Sequence, residues 1–297
     1  MEVGGLPEHD GAGLTIVVNP SAGPLIGRPP SDVLREGLPA ARIVEVEDAA
    51  ELPGALRGAA ADGAKALGIA GGDGSVNSAA EAALHSDLPL AIFPTGTLNH
   101  LARDLGLVGM DAAIEAFRHG TTSEIDVSFI DERPFLNTAS LGGYVELVDR
   151  RERLERRFGK WPAFVVAFVA MLFRGEPMTV EIDGMQRRPW IVFFGNCRYE
   201  PRGIAPRTRS SLDDGRVDVR ILDSRHGWAR LRLVALALVG RAHRARGFEE
   251  RSATSLGVRV IDGATRLSRD GETSSGSPRF EVTKSPRALR VFLPSGD

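Results

Sequence analysis

Over the first 124 residues the sequence alternates short apolar runs with helix-like stretches, and this alternation constrains the fold more than any other feature. Four runs predict strands, at residues 15–18, 42–46, 65–70 and 88–93. Five stretches predict helices, at residues 31–37, 49–61, 75–84, 97–105 and 111–118. Strands and helices that alternate at this spacing form a mainly parallel sheet with helices on its faces. Ligands bind such sheets at the carboxyl ends of the strands.

From about Glu124 onward, strand-like runs separated by turns predict an antiparallel, β-sandwich-like domain. These runs are residues 124–130, 134–142, 178–184, 189–195, 216–222, 256–262, 279–282 and 288–293. Two helical insertions are expected at about 146–173 and 227–240, and the polar stretch 268–278 is interpreted as a loop. A chain of 297 residues suits two domains of about 100 to 200 residues each. We therefore predict an α/β domain over residues 1–124 and a β-rich domain over residues 125–286.

The composition excludes several classes of protein. With 42% hydrophobic and 26% charged residues, the chain is neither fibrous nor wholly disordered. Its single cysteine, Cys197, excludes an intrachain disulfide and is typical of a reducing compartment. No apolar run reaches the roughly 18 to 20 residues that cross a bilayer, and the first residues lack the features of a signal peptide. We expect a cytoplasmic protein.

The net charge of −2 conceals two halves of opposite sign. Residues 1–124 carry a net charge of −10 and residues 125–297 a net charge of +8. The densest group of cations is formed by Arg150, Arg151, Arg153, Arg156, Arg157 and Lys160. Such a run is either a solvated face or a docking surface for anionic lipid headgroups, and both interpretations stay open.

A glycine-rich segment, Gly71-Gly72-Asp73-Gly74-Ser75, joins the third predicted strand directly to a helix. Adjacent glycines let the backbone approach a ligand closely, and the helix start then presents amide N–H groups to it. Phosphate is the natural occupant of such a site. A tight turn without a ligand is the alternative.

Similar loops follow two other predicted strands, which strengthens the prediction of a phosphate-binding site. Asn19-Pro20-Ser21 follows the first, and Thr95-Gly96-Thr97-Leu98-Asn99 follows the fourth, with Thr97 or Asn99 placed to cap a helix or reach a ligand. The three loops would form a nucleotide-sized cradle at one edge of the sheet. The chain contains neither GxxxxGK[ST] nor a GxGxxG after a strand, which excludes a Walker P-loop and the dinucleotide fingerprint.

Two acidic turns mark the second half, Asp213-Asp214-Gly215 and Asp270-Gly271-Glu272. Asp-Gly is a common hairpin turn, so each has a purely structural interpretation. Phosphoryl transfer, however, needs carboxylates for Mg²⁺ and another to orient or deprotonate the attacking hydroxyl. The six histidines show no zinc spacing, and His100 is interpreted as a solvated or capping residue.

Taken together, these residues resemble the diacylglycerol kinase catalytic-domain family of lipid kinases, in particular its soluble bacterial members. The matching strings, in the family's order, are VVNPSAG at 17–23, GGDGSVN at 71–77, PTGTLNHLARDLGL at 94–107, FLNTASLG at 135–142, SLDDGRVDV at 211–219 and RDGE at 269–272. The combination is specific, whereas GGDG alone is shared with NAD kinases and phosphofructokinases.

The resemblance implies a nucleotide-binding α/β domain, a lipid-binding β domain, and a cleft where the γ-phosphate of ATP meets a lipid hydroxyl. It also implies that the last strand, within 287–297, returns to the first domain. Asp270 is the implied general base, with Glu272 beside it, and Asp213 and Asp214 belong to a metal-associated region. The residues expected on the nucleotide side are Asn19, Pro20, Ser21, Gly71, Gly72, Asp73, Gly74, Ser75, Asn77, Thr95, Gly96, Thr97 and Asn99.

The sequence departs from the family pattern at four positions. Ala22 and Ser75 stand where the family usually has Ser and Thr, and Ser78 and His100 where it often has Glu and Asp. Ser75 keeps the hydroxyl. The loss of two carboxylates bears on the handling of Mg²⁺.

The sequence thus leads us to expect a lipid kinase that depends on ATP and Mg²⁺ and acts on a diacylglycerol-like lipid at the inner face of the membrane. No nucleic-acid partner is expected, and a homodimer is compatible with the sequence. Two alternatives stay open, a kinase of a soluble acceptor such as NAD or a sugar phosphate, and a noncatalytic lipid or nucleotide sensor.

Overall fold

The computed structural model describes residues 6–19, 28–142, 177–201, 208–223, 247–263 and 265–295. The chain divides into two compact units, the first formed by residues 1–127 and 286–297 and the second by residues 128–285. The helical insertions expected at 146–173 and 227–240 lie outside the described residues.

The first unit contains a parallel sheet with strands in the order β2, β1, β3, β4. These strands are β1 (Leu14–Val18), β2 (Arg42–Glu45), β3 (Ala66–Gly71) and β4 (Leu90–Pro94). Every residue of β1, β3 and β4 is buried. Near-continuous apolar runs of this kind are typical of parallel strands that are covered on both faces.

In the described part of this unit, five α-helices and one short 3₁₀ helix accompany the sheet. They are α1 (Pro30–Gly37), the 3₁₀ helix (Ala49–Glu51), α2 (Leu52–Ala61), α3 (Asp73–Ser86), α4 (His100–Asp104) and α5 (Met110–His119). The buried residues of α5 recur at helical spacing and give it one apolar face.

Two long strands, β5 (Thr121–Ile130) and β18 (Arg279–Leu293), each contribute one end to each unit. In the first unit Val291 of β18 pairs in parallel with Leu90 of β4. Phe292 packs against Phe117 of α5 with their ring centroids 4.8 Å apart. The end of the chain therefore belongs to the first unit. The runs 279–282 and 288–293, expected as separate strands, form one strand of 15 residues.

The second unit is built from antiparallel strands. Six of them form one sheet in the order β14, β13, β10, β7, β16, β17. Their bounds are β7 (Thr138–Gly142), β10 (Pro189–Asn196), β13 (Val217–Asp223), β14 (Phe248–Ala253), β16 (Arg266–Arg269) and β17 (Glu272–Ser275).

The other strands of the second unit pair beside β18 and β5. The order β18, β15, β8, β9 is antiparallel throughout, β6 pairs with β5, and β11 pairs with β12 in a small separate hairpin. Their bounds are β6 (Arg133–Phe135), β8 (Thr179–Ile182), β9 (Met185–Arg187), β11 (Tyr199–Glu200), β12 (Thr208–Arg209) and β15 (Ser255–Asp262).

A single apolar core is shared by the strands of the second unit. Phe194 of β10 and Phe280 of β18 meet edge to face, with ring centroids 6.5 Å apart, and Val258 of β15 belongs to the same cluster. Along β15 buried and exposed residues alternate, as expected for a strand with one face on a core. The predicted fold class, an α/β domain followed by an antiparallel β domain, is confirmed.

The interpretation of residues 268–278 as a loop is wrong for residues 268–275 and holds for residues 276–278. Residues 266–275 form the hairpin β16–β17, closed by the two-residue turn Asp270-Gly271. Both turn residues have positive φ, 45° and 90°, as a type I′ hairpin turn requires. The segment is polar because β17 is a mostly exposed edge strand, so it lacks the apolar alternation that marks other strands.

Candidate functional site

In the first unit Asn19, which directly follows β1, meets the glycine-containing loops that follow β3 and β4 at the carboxyl edge of the parallel sheet. At the end of β1 the buried Asn19 side chain donates from Nδ2 to Ser75 Oγ over 3.0 Å. At the end of β4 the Thr95 amide donates to the Gly71 carbonyl over 3.1 Å. The structure therefore brings together residues that lie up to 76 positions apart in the sequence, as expected for neighbouring parallel strands.

Close backbone contact explains the glycines of this edge. A Cβ on Gly96 would lie 2.7 Å from the Cα of Gly72 and 2.8 Å from Oδ1 of Asn99. A Cβ on Gly71 would lie 2.4 Å from the Cβ of Ser75. These distances exclude a side chain, so glycine is required for the two loops to approach each other.

The helix that starts at this edge, α3, has Gly72 at its N-cap and no side-chain cap. The first amide groups of a helix have no partner within the helix, and together with the helix dipole they favour an anion. A 14-residue helix that begins in a glycine cradle is therefore able to bind a phosphate group.

Asp73 provides the cap of the neighbouring helix. Its Oδ1 accepts the amide of His100, the first residue of α4, over 2.7 Å. Asn99 stands at the N-cap of this helix without a side-chain cap bond, so of the two roles expected for Thr97 or Asn99, capping is not observed and reaching a ligand stays a prediction. Asn99 adopts a left-handed conformation, with φ of 48°, and its Nδ2 instead donates to the Gly96 carbonyl over 2.6 Å. Asp73 thus connects the glycine loop after β3 to the loop after β4.

Two buried polar atoms in this region have no hydrogen-bond partner among the described residues, Thr95 Oγ1 and Asn77 Oδ1. Thr95 follows β4 directly, and Asn77 lies one turn after Asp73 in α3. Buried polar atoms are nearly always paired in folded proteins. The Thr95 hydroxyl can donate to a phosphate oxygen, whereas Asn77 Oδ1 only accepts and fits an N–H or O–H group of a polar ligand.

In the second unit the side chain of Asp270 is held by the backbone of the loop between β6 and β7. Its Oδ2 accepts the amide of Leu136 over 2.7 Å, and its Oδ1 accepts the amides of Asn137 and Thr138 over 2.8 and 2.9 Å. The Asp270 amide donates in return to the Thr138 carbonyl over 2.8 Å. The turn and the carboxylate site predicted from the sequence are therefore one and the same feature.

The protonation of Asp270 is set by opposing effects. Burial raises the pKa of this carboxyl group above its ordinary value, and the three amide hydrogen bonds and the positive charge of Arg209 only partly oppose that rise. A raised pKa makes a carboxylate a stronger base, provided that it is still ionised at the working pH. Glu272, two residues on, is exposed on β17, and its side chain forms no hydrogen bond or ion pair with another described residue.

The acidic pair Asp213-Asp214 is exposed and organises its own turn. Asp214 accepts the amides of Arg198 and Arg216, each over 2.8 Å, and Asp213 Oδ1 bonds the hydroxyl of Ser211. Carboxylate oxygens are ligands that Mg²⁺ prefers, so the pair has suitable chemistry for a cation.

Several predicted site residues lie outside the described residues. These are Pro20 and Ser21 of the first loop and the cationic group Arg150, Arg151, Arg153, Arg156 and Arg157. Within the described ranges, no helix has the length and apolar character needed to cross a membrane.

The residues that surround the loop between β6 and β7, which holds the Asp270 carboxylate, were not predicted from the sequence. Asn196, Tyr199 and Arg209 all bond to backbone or side-chain atoms of residues 136 and 137. The string FLNTASLG marked the loop itself, but these three residues lie in short strands or at strand ends without a local motif.

Comparisons with known proteins agree on one family. The model of the diacylglycerol kinase catalytic domain matches residues 13–130. The chain is 28% identical to a diacylglycerol kinase of Mycobacterium tuberculosis over 99% of both chains. It is 31% identical to a "probable lipid kinase YegS-like" of Pseudomonas aeruginosa over 80% of both chains. A crystal structure of a protein assigned as a diacylglycerol kinase from Bacillus anthracis superposes with a TM-score of 0.72 at 20% identity, covering 94% of this chain and 97% of that one.

Proposed function

The chain belongs to the family of diacylglycerol kinases and YegS-like lipid kinases, and from this premise we propose that it transfers the γ-phosphoryl group of ATP to the hydroxyl of a diacylglycerol-like lipid. The observation that carries the proposal is the cradle of the first unit. There the close approach of Gly96 to Gly72 excludes a side chain at position 96, beside the uncapped start of α3.

ATP is the donor that this cradle suits. The amide groups at the start of α3 would bind phosphate oxygens, and Thr95 and Asn77 would provide the unpaired Oγ1 and Oδ1 atoms to the nucleotide. Asn19 and Ser75, bonded to each other, would fix the loop after β1 next to the phosphates. Preorganised dipoles of this kind stabilise the charge that develops during phosphoryl transfer.

Asp270 would act as the general base. It would take the proton of the lipid hydroxyl as that oxygen forms a bond to the γ-phosphorus, while the bond from the γ-phosphorus to the bridging oxygen breaks and ADP leaves. The three amides that hold its carboxylate leave one lone pair of Oδ2 for the proton. Glu272 would place a second negative charge in the same turn.

Mg²⁺ is the proposed cofactor, with Asp213 and Asp214 as candidate ligands because their exposed carboxylates have the chemistry that this ion prefers. When bound, the ion would neutralise phosphate charge. Asp73 is already committed to the cap of α4 through Oδ1, which leaves Oδ2 for other roles.

The lipid substrate requires the protein to approach a membrane surface. The cationic group formed by Arg150, Arg151, Arg153, Arg156 and Arg157 would provide an electrostatic attraction to anionic lipids, worth about 1 kcal/mol per cation near the surface. Binding to vesicles that contain anionic lipid should weaken as salt is added. Binding that is insensitive to salt would contradict this role of the cluster.

The test of the proposed function is transfer of labelled γ-phosphate from ATP, with Mg²⁺, to total bacterial lipid extract. Parallel reactions would offer NAD and sugar phosphates as soluble acceptors. A labelled lipid formed by the wild type supports the proposal and identifies the acceptor. Label in a soluble acceptor alone, or ATP binding without transfer to any acceptor, would contradict it.

A further inference from the structure

We infer that Arg209 is a positioning residue of the proposed reaction, because it bonds the carbonyl of one peptide group, between Leu136 and Asn137, whose amide holds the carboxylate of Asp270. This inference rests on the proposed kinase function. Arg209 makes no direct bond to the Asp270 carboxylate in the structure, and it would act through the loop of residues 136–138.

The first peptide group of the loop joins Leu136 to Asn137. Its carbonyl accepts from Arg209 Nη1 over 2.6 Å and from Asn196 Nδ2 over 3.0 Å. In a planar trans peptide the carbonyl and the amide point in opposite directions. Holding the carbonyl from one side therefore aims the Asn137 amide to the other side, where it bonds Oδ1 of Asp270 over 2.8 Å.

The second peptide group, between Asn137 and Thr138, is held in the same way by other residues. Its carbonyl accepts from the Asn196 amide over 2.9 Å and from the Tyr199 hydroxyl over 3.2 Å. Its amide bonds Asp270 Oδ1 over 2.9 Å. Both peptide planes are thus fixed from the side opposite to Asp270.

The guanidinium group of Arg209 contacts several of the groups that hold these two peptide planes. Besides the Leu136 carbonyl, it donates to the Asn196 carbonyl over 3.0 Å and to Oδ1 of Asn137 over 3.1 Å. It lies over the ring of Tyr199, 5.2 Å from the centroid. A planar fork with fixed donors can span three acceptors in this way, whereas the single nitrogen of lysine cannot. Arg209 also adds positive charge near Asp270, which favours its ionised form.

Loss of Arg209 should therefore slow the chemical step and leave the binding of ATP unchanged. A base that shifts by about 1 Å can cost a hundredfold in rate without any change in the binding of the other substrate. Arg209→Lys keeps the charge and removes the fork. We expect it to lower kcat by about tenfold to a hundredfold and to leave the KM for ATP unchanged.

The experiment compares Arg209→Lys with Arg259→Lys as the matched control. Arg259 lies in the same unit but bonds only the exposed side of β8, through Glu181 over 2.7 Å. Hydrogen exchange of the amides of residues 136–138 gives a readout that does not depend on activity. Exchange should be faster in Arg209→Lys and unchanged in Arg259→Lys.

The possible results distinguish a failure of the positioning role of Arg209 from a failure of the proposed kinase function. A folded Arg209→Lys protein with wild-type kcat, or with unchanged exchange at residues 136–138, would overturn the positioning role. If Arg209→Lys does not fold, Tyr199→Phe tests the second peptide plane, and unchanged kcat in that variant would overturn the argument. If the wild type transfers no phosphate, the proposed function fails, and the exchange rates alone decide whether Arg209 fixes the loop.

Discussion

Replacing Asp270 by asparagine tests the proposed catalytic role of this carboxylate together with its structural role. One role is chemical, the acceptance of a proton, and the other is structural, the acceptance of three backbone amides. The turn itself should survive, since asparagine is a preferred residue at this position of a type I′ turn. Any effect must then come from the loss of the charge or of an acceptor oxygen.

The expected stability change follows from two opposing contributions. Asparagine retains one acceptor oxygen. If this oxygen takes the place of Oδ1, the NH₂ group faces the Leu136 amide and the hydrogen bond to that amide is lost. The loss of one charge-assisted hydrogen bond costs about 1.5–3 kcal/mol. The burial of the charge, however, is the largest influence on the pKa of Asp270 and exceeds the amide bonds and Arg209 combined. Removing the charge therefore offsets the lost bond. We expect the unfolding free energy to change by less than about 2 kcal/mol, a shift in Tm of at most about 4–8 °C.

Activity should respond much more strongly. Loss of a general base lowers the rate by about 10²–10⁴-fold. Phosphate transfer and Tm would be measured on the wild type, on Asp270→Asn and on the control Asp183→Asn. Asp183 matches Asp270 because it also precedes a glycine in a hairpin turn, with φ of 50°, and accepts the backbone amide of Gly257 over 2.9 Å.

The pH dependence of stability provides an independent check. Because the folded-state pKa of Asp270 is raised, its protonated form favours the fold. That stabilisation is complete below the ordinary pKa of aspartate and is lost as the pH rises through the raised value. Relative to Asp270→Asn, the wild type should therefore gain stability as the pH falls through this window.

Three results would refute this reasoning. Transfer within tenfold of the wild type in Asp270→Asn would show that Asp270 is not the base. A fall in Tm well beyond the range above would show that the carboxylate is mainly a structural anchor. An equal loss of activity in Asp183→Asn would show that hairpin turns in general, and not Asp270, control activity.

Further predictions concern the first unit and the cysteine. Gly96→Ala should abolish ATP binding, measured by calorimetry, because its Cβ would lie 2.7 Å from Gly72 Cα, whereas Gly54→Ala, with no atom within 4 Å, should bind normally. Asp73→Ala should destabilise the protein by about 0.5–2 kcal/mol through loss of a helix cap, and Asp73→Asn, which retains an acceptor oxygen, should lose less in a denaturation experiment. Burial raises the pKa of Cys197 to about 11, so the thiol should resist alkylation at neutral pH in the native protein, and rapid labelling would contradict its burial.

The sequence by itself determined the features that depend on local pattern. The apolar runs of β1, β3 and β4 predicted buried parallel strands, and the glycines after them predicted the loops that meet at the carboxyl edge. Side-chain periodicity and backbone freedom are properties of neighbouring residues, so they can be recognised without the fold. The family strings extended this prediction to the acidic turns of the second unit.

Only the tertiary structure decided which groups those loops contact. The hairpin β16–β17 escaped prediction because the partner of β16, β7, lies more than 120 residues earlier, and because β17 is a polar edge strand without a signal of its own. Asp73 was expected on the nucleotide side, and the structure shows in addition that its Oδ1 caps a helix that begins 27 residues later. The carboxylate of Asp270 is held by amides 132 to 134 residues earlier, and Arg209 bonds the carbonyl of one of these peptide groups. Every residue except proline has a backbone amide, so no sequence pattern predicts which amides will donate to one side chain.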